Sequence, residues 1–321
     1  MLRPLIVILL IVLFSCDHAG HKEAKVISPQ NKARGVSLVL LGTLQDGGSP
    51  HIGCQKKCCE RLFSNPDKTR RVVSIGVLDP QNNSNYLIEA TPDLSWQLRA
   101  LKDHSPFKDS DIPEGIFLTH AHMGHYAGLM YLGKEAMNAN CVKVYTMPRM
   151  KSYLEKNGPW SQLVNLNNIL LLPIEDQEEI KLSSSLKIIP FHVPHRDEYS
   201  ETVGYKIEGP HKKVLFIPDI DKWSKWDKSI IEEIKKVDYA FIDGTFFDGT
   251  EINNRNISEI PHPFVIESME LFKSLPPAEK DKIYFIHFNH TCPLLDTNSK
   301  QAKRVLQRGF HLSVYDAVFP L

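Results

Sequence analysis

Positive and negative charges cancel in this sequence, 38 Lys and Arg against 38 Asp and Glu. It has no positive field with which to hold a phosphate backbone by counterion release, so nucleic acid is not expected as its partner. Glycine and proline are sparse, 17 and 21 of 321 residues, which rules out a collagen-like fibre. No apolar run approaches the roughly 20 residues that a membrane-crossing helix needs. No Gly-x-Ser-x-Gly turn is present to present a nucleophilic serine. No glycine loop closes on Lys-Ser or Lys-Thr to cradle phosphate, and no segment repeats. Six cysteines, unevenly placed, do not form the regular spacing of a disulfide scaffold; with 14 histidines they direct attention to metal instead.

What is present is the composition of a packed globular protein, 42% hydrophobic and 24% charged. At the amino terminus Arg3 precedes an apolar run from Leu5 to Phe14, about 15 Å as a helix and half a bilayer core, which reads as the h-region of a signal peptide over residues 1–15. Leu13-Phe14-Ser15-Cys16 resembles a bacterial lipobox, in which Cys16 becomes the lipid-bearing amino terminus. Residues 16–35 are polar and lack an apolar period, as in a tether. The expectation is an exported lipoprotein of the cell envelope, attached to the membrane through a lipid on Cys16, with one domain over residues 36–321.

Within that domain, short runs rich in Val, Ile and Phe end at polar residues and predict eleven strands: 37–41, 72–78, 85–88, 115–118, 142–145, 169–172, 186–191, 202–207, 214–217, 239–242 and 282–286. Helical spacing recurs at 94–101, 150–154, 230–234, 265–272 and 300–306, the last with Thr297 or Asn298 as N-cap. Strands outnumber helices, which predicts an α/β (α+β) fold of two sheets with helices outside. Cys141, beside the 142–145 strand, reads as a small buried apolar residue.

The most informative stretch is Thr119-His120-Ala121-His122-Met123-Gly124-His125. Three histidines leave one strand within six positions, and neutral imidazole is a good zinc ligand. His195, Asp219, Asp243 and His287 each follow a later strand. Side chains at the ends of several strands of one sheet converge on one rim, where the strands hold them rigidly.

This series resembles the metallo-β-lactamase superfamily, whose pattern is His-x-His-x-Asp-His followed by a lone His, a lone Asp and a final His. The likeness spans 36–321 and implies an αββα sandwich. Within the superfamily, Gly47-Gly48-Ser49-Pro50, Asp243-Gly244-Thr245, Pro261-His262-Pro263 and Ile286 to Leu294 resemble the pyrroloquinoline quinone biosynthesis protein B family and the PhnP-like phosphodiesterases. Carried across, His120, His122 and His195 would bind a first metal, Asp219 would bridge, and His125 and His287 would bind a second. His192 competes with His195, which is preferred because Thr202 to Tyr205 follows like the superfamily's return strand. Gly124 stands where the motif has Asp. That departure leads to an expectation of one tight and one weak metal.

The PhnP-like likeness also implies a structural zinc on Cys54, Cys59 and His290, with Cys58 or Cys292 as fourth ligand; disulfides are the competing reading. Asp46 and His51 flank the glycine turn and could face the site, although an Asp-Gly-Gly turn reads at least as readily as a backbone device. His262 between prolines is a candidate proton donor, substitute for the missing acidic ligand or substrate contact, with a structural role as the competing reading, and Trp160, Trp223 and Trp226 either roof a pocket or pack in the core. The resemblance implies a hydrolase that cleaves an ester or phosphodiester of a small-molecule substrate, with water activated by the metal, Asp219 holding that metal and His262 protonating the leaving group. One or two Zn2+ in the active site and one structural Zn2+ are expected; iron or manganese would suit the same active-site donors. The alternative is a redox or carrier role in quinone cofactor biosynthesis.

Overall fold

The computed structural model describes residues 35–251 and 259–321. The signal segment, Cys16 and the tether apart from Gly35 lie outside the described residues. Strands β1 (Ser37–Gly42), β2 (Ser74–Asp79), β3 (Ser84–Ile88), β4 (Gly115–Phe117), β5 (Val142–Thr146) and β6 (Ile169–Pro173) belong to one sheet. Strands β7 (Ile180–Lys181), β8 (Lys187–His192), β9 (Val203–Glu208), β10 (Lys213–Ile217), β11 (Tyr239–Asp243), β12 (Ile283–Ile286) and β13 (His311–Leu312) form the other. The last strand, β14 (Val318–Pro320), returns to the first sheet and pairs antiparallel with β1. The sheet orders are β14-β1-β2-β3-β4-β5-β6 and β13-β12-β11-β10-β9-β8-β7.

The alternation of side chains dictates three apolar layers. Leu38 and Leu40 of β1 and Val214 and Phe216 of β10 point between the sheets, joining Ile75, Ile88, Phe117, Tyr205, Phe241 and Ile286. Their neighbours Val39 and Leu41 face outward onto the helix Leu94–His104, through Leu94, Leu98 and Leu101. Leu215 and Ile217 likewise face the helices Ile230–Lys235, Val265–Leu271 and Lys300–Gln307 through Ile230, Val265 and Val305. A strand covered on both faces must be apolar at every position. That is why the strand signals are continuous runs. The result is the αββα sandwich.

All eleven expected strands are present. β7, β13 and β14 are additional, two or three residues each, too short to show a period. The helix Lys57–Ser64 was not anticipated, and the cap of the last helix is Ser299, whose side chain accepts from Ala302 N, rather than Thr297 or Asn298. Cys141 is exposed and takes φ 52°, which corrects its reading as a buried residue; it precedes β5 rather than lying in it. Trp226 is buried in the outer layer of the second sheet, and Trp160 and Trp223 pack against apolar layers, so the core reading holds for all three.

β1 and β3 run alike because each is antiparallel to β2, and β4 is parallel to β3. β8 and β10 run alike for the same reason about β9, with β11 and β12 parallel to β10. The residues that follow these seven strands therefore emerge along one rim.

Candidate metal centre

His120, His122 and His125 follow β4, His195 follows β8, Asp219 follows β10 and His287 follows β12. Asp219 Oδ2 lies 3.2 Å from His195 Nε2, 3.5 Å from His120 Nε2 and 4.0 Å from His122 Nδ1. The same oxygen is 3.9 Å from His125 Nε2 and 4.0 Å from His287 Nε2. The structure thus brings together all six residues implied by the motif, around one carboxylate. Three donor sets share Asp219: His120, His122 and His195; Asp46, His125 and His287; and Asp243, His262 and His287, each with ligand atoms within 4.8 Å of one another. His192 ends β8 as a half-exposed residue beside Asp176 and takes no part.

The ring nitrogen of each histidine that faces away from the cluster is matched with oxygen. Thr119 Oγ1 is 2.9 Å from His120 Nδ1, Asp221 Oδ1 is 3.1 Å from His195 Nδ1 and Thr245 Oγ1 is 2.8 Å from His287 Nδ1. Thr245 donates its own hydroxyl proton to Asp243 Oδ1 at 2.7 Å, so its oxygen can only accept from His287. His122 is turned the other way, with Nε2 facing Glu198 Oε2 at 3.4 Å and Nδ1 inward. Glu89 Oε2 faces His125 Nδ1 at 3.4 Å. Such outer partners fix the tautomer and aim a lone pair at the metal. His120 Nε2 is buried with no hydrogen-bond partner, an arrangement that costs free energy unless a cation accepts the lone pair. The donor set fits a metal.

Charge is balanced tightly. Burial opposes ionisation of Asp219, yet His195, His262 and His287 hold its carboxyl well below the ordinary range. Burial also opposes charge on His195, but Asp219 and Asp221 push it up to about 10. Burial and the neighbouring His125 hold His120 down, in the neutral state that ligates. Backbone strain accompanies the site: His287 takes φ 66° and Glu89 φ 79°, conformations that cost non-glycine residues of order 1–3 kcal/mol and persist where the surroundings enforce them.

Two residues at the centre were not assigned from sequence. Asp46, read as a backbone device, lies with Oδ1 3.1 Å from His125 Nε2 and 3.2 Å from His287 Nε2. The expectation of a missing donor opposite Gly124 is corrected by this placement. Glu89 is fully buried directly after β3; the rule that picked Asp219 and Asp243, an acidic residue straight after an apolar strand, also applies to it. His262 Nδ1 is 2.8 Å from Asp243 Oδ2 and 3.2 Å from Asp219 Oδ1. Burial lowers its basicity, but Asp243 and Asp219 raise it further. His262 borders a cavity of about 600 Å³ that Thr245, Lys56 and Arg196 also line.

A second cluster joins Cys54, Cys58, Cys59 and His290. Cys58 Sγ lies 3.9 Å from both Cys54 Sγ and Cys59 Sγ, and His290 Nδ1 is 3.4 Å from Cys59 Sγ and 3.7 Å from Cys58 Sγ. Sulfurs on one tetrahedral zinc at about 2.3 Å lie about 3.8 Å apart, whereas a disulfide needs about 2.05 Å; the three thiols are free. Burial, His51 and Lys56 lower His290 to about 4, leaving it neutral. Cys58 is the fourth side chain of the cluster. Cys292, the other candidate, is excluded by a turn in which its N–H donates to Asn289 O at 2.8 Å, sending its buried side chain toward Gly244 O.

Comparison with known proteins agrees with this fold. The family model described as "Beta-lactamase superfamily domain" matches residues 84–288. Coenzyme PQQ synthesis protein B of Methylorubrum extorquens strain PA1 is 22% identical over 306 residues, 85% of this chain and 96% of that protein. The protein of the same name in Methylococcus capsulatus is 25% identical over 307 residues, 87% and 97% of the two. Among solved structures, Zn2+-bound PqqB from Methylobacterium extorquens superposes with a TM-score of 0.73 at 20% identity, over 89% of this chain and all of that one. A diphosphatase of the PhnP family gives 0.60 at 22% identity, over 88% and 96%.

Proposed function

For a chain that belongs to the beta-lactamase superfamily, we propose metal-dependent hydrolysis of an ester or phosphodiester. The observation that supports it is the convergence of five imidazoles on Asp219, each with its other ring nitrogen facing an oxygen. His120, His122 and His195 would hold one cation and His125 and His287 another, with Asp219 between them. Divalent cations held there would acidify water and polarise an acyl or phosphoryl oxygen. The chain's own part is positional. Thr119, Asp221 and Thr245 keep three rings in the tautomer that points Nε2 inward. Asp243 holds a proton on His262 Nδ1 and with Asp219 favours the doubly protonated ring, so that His262, at the wall of the cavity, could give its other ring proton to a leaving oxygen. Lys56 and Arg196 on the same cavity are offset by Glu251 and Glu259, so its charge fits an ester and a phosphodiester alike. Cys54, Cys58, Cys59 and His290 would hold a separate structural zinc.

A second reading, a redox or carrier role in pyrroloquinoline quinone biosynthesis, is favoured by the near full-length similarity to coenzyme PQQ synthesis protein B. Turnover separates the two. The protein loaded with zinc, manganese or iron is assayed on bis(p-nitrophenyl) phosphate, aryl esters and diphosphates. Hydrolysis abolished by His120→Ala supports the first reading, and absence of turnover with every metal overturns it.

A further inference from the structure

Gly124 stands where the superfamily motif carries a carboxylate, and its surroundings explain why it is glycine. A Cβ at 124 would meet Asp46 Cα at 2.4 Å, Asp46 Cβ at 2.6 Å and Asp46 Cγ at 2.7 Å. Gly124 does not have the positive φ that would itself demand glycine. What bars a side chain is Asp46.

We infer that the second metal position takes its carboxylate from Asp46, delivered by the loop after β1, so that positions 46 and 124 are alternatives for a single ligand. The inference rests on the metal-centre reading above. The geometry is specific: Asp46 Oδ1 sits 3.1 and 3.2 Å from the inward nitrogens of His125 and His287, and donors around one zinc at about 2.0–2.1 Å lie about 3.3 Å apart. His262 does not fill this role, because the donor set that contains it, with Asp219, Asp243 and His287, leaves His125 out.

The turn does not need the Asp46 side chain. Gly48 N–H donates to Gln45 O at 2.9 Å, Gly48 takes φ +66°, and Gly47 is packed against the His51 ring. Among the described residues the Asp46 carboxylate bonds only the two histidines. The main chain sets its position: Gln45 N–H donates to Phe288 O, and Phe288 N–H to Thr43 O, at 2.9 and 2.8 Å. The carboxylate loop is thereby fastened to the residue after His287.

Zinc and cobalt binding by the full domain, stripped of metal and reloaded, tests this in wild type, Asp46→Ala and Gly124→Ala, with metals counted per chain by mass spectrometry and affinities measured by chelator competition. Wild type is expected to hold two active-site metals besides the structural one. Asp46→Ala should weaken one of them by at least about 100-fold and alter the visible spectrum of the cobalt form. Gly124→Ala adds no charge, yet it should weaken the same metal by displacing Asp46. Melting of the metal-free proteins separates ligand loss from misfolding; Asp46→Asn, which keeps the side-chain volume, replaces any variant that fails to fold. Asp46→Ala or Asp46→Asn retaining both metals at wild-type affinity overturns the inference alone. A wild type with no active-site metal overturns the metal-centre reading as well.

Discussion

Glu89 sits in unusual surroundings for a carboxylate: fully buried, at φ 79°, with neither oxygen in a hydrogen bond and His125 Nδ1 at 3.4 Å. Burial pushes its pKa up, and His125 offsets that in part. Glu89→Gln should weaken the metal at His125 roughly 10- to 100-fold. The same change takes from buried His125 one of its two carboxylate neighbours, so the metal-free variant should also melt lower than wild type. Unchanged metal affinity in a titration would remove Glu89 from the site. His262 yields a prediction of another kind. His262→Ala should lower kcat by roughly 10²–10⁴ on substrates with a poor leaving group, and far less on p-nitrophenyl substrates, whose leaving group needs no proton. Equal losses on both would count against proton donation. The histidines and Asp219 were legible because they follow apolar strands, three of them after β4 and His195, Asp219 and His287 each after its own. Glu89 obeys the same strand-end rule and was passed over, and Asp46 could be seen to face the site but not to meet His125, because no spacing along the chain announces that the ends of β1 and β3 lie beside it.

The helix Lys57–Ser64 carries two of the cluster's thiols and is weak in itself. It has eight residues, no side-chain cap, and only Cys59 and Leu62 buried. Helices this short are marginal in water, so the cluster with His290 supplies much of what holds this one in place. His290→Ala or Cys58→Ser should therefore raise amide hydrogen exchange across residues 47–64 far more than in β10 or β11, and lower the melting temperature. Exchange unchanged in that segment, in a variant that has lost one zinc, would show the site is not structural. The strands could be read because burial on both faces makes them continuous apolar runs. This helix could not, since Lys-Cys-Cys-Glu-Arg looks polar until a metal or a partner such as His290 gives its cysteines a buried side.

At the scale of the molecule, β14 closes the first sheet against β1, and Leu321 N–H donates to Val36 O at 2.9 Å. β1 then runs from this edge toward the rim, with Asp46 beyond its far end. We propose that Cys16 bears a lipid; wild type should partition with membranes and Cys16→Ser should not, and a soluble, unlipidated wild type would end the proposal. The direction of β1 then decides which way the catalytic rim faces. Six strand residues cover about 20 Å, which separates residue 36 from the rim. A lipid on Cys16 would therefore join the domain at the end opposite Asp46 and the metal centre, leaving the mouth of the site clear of the tether's root.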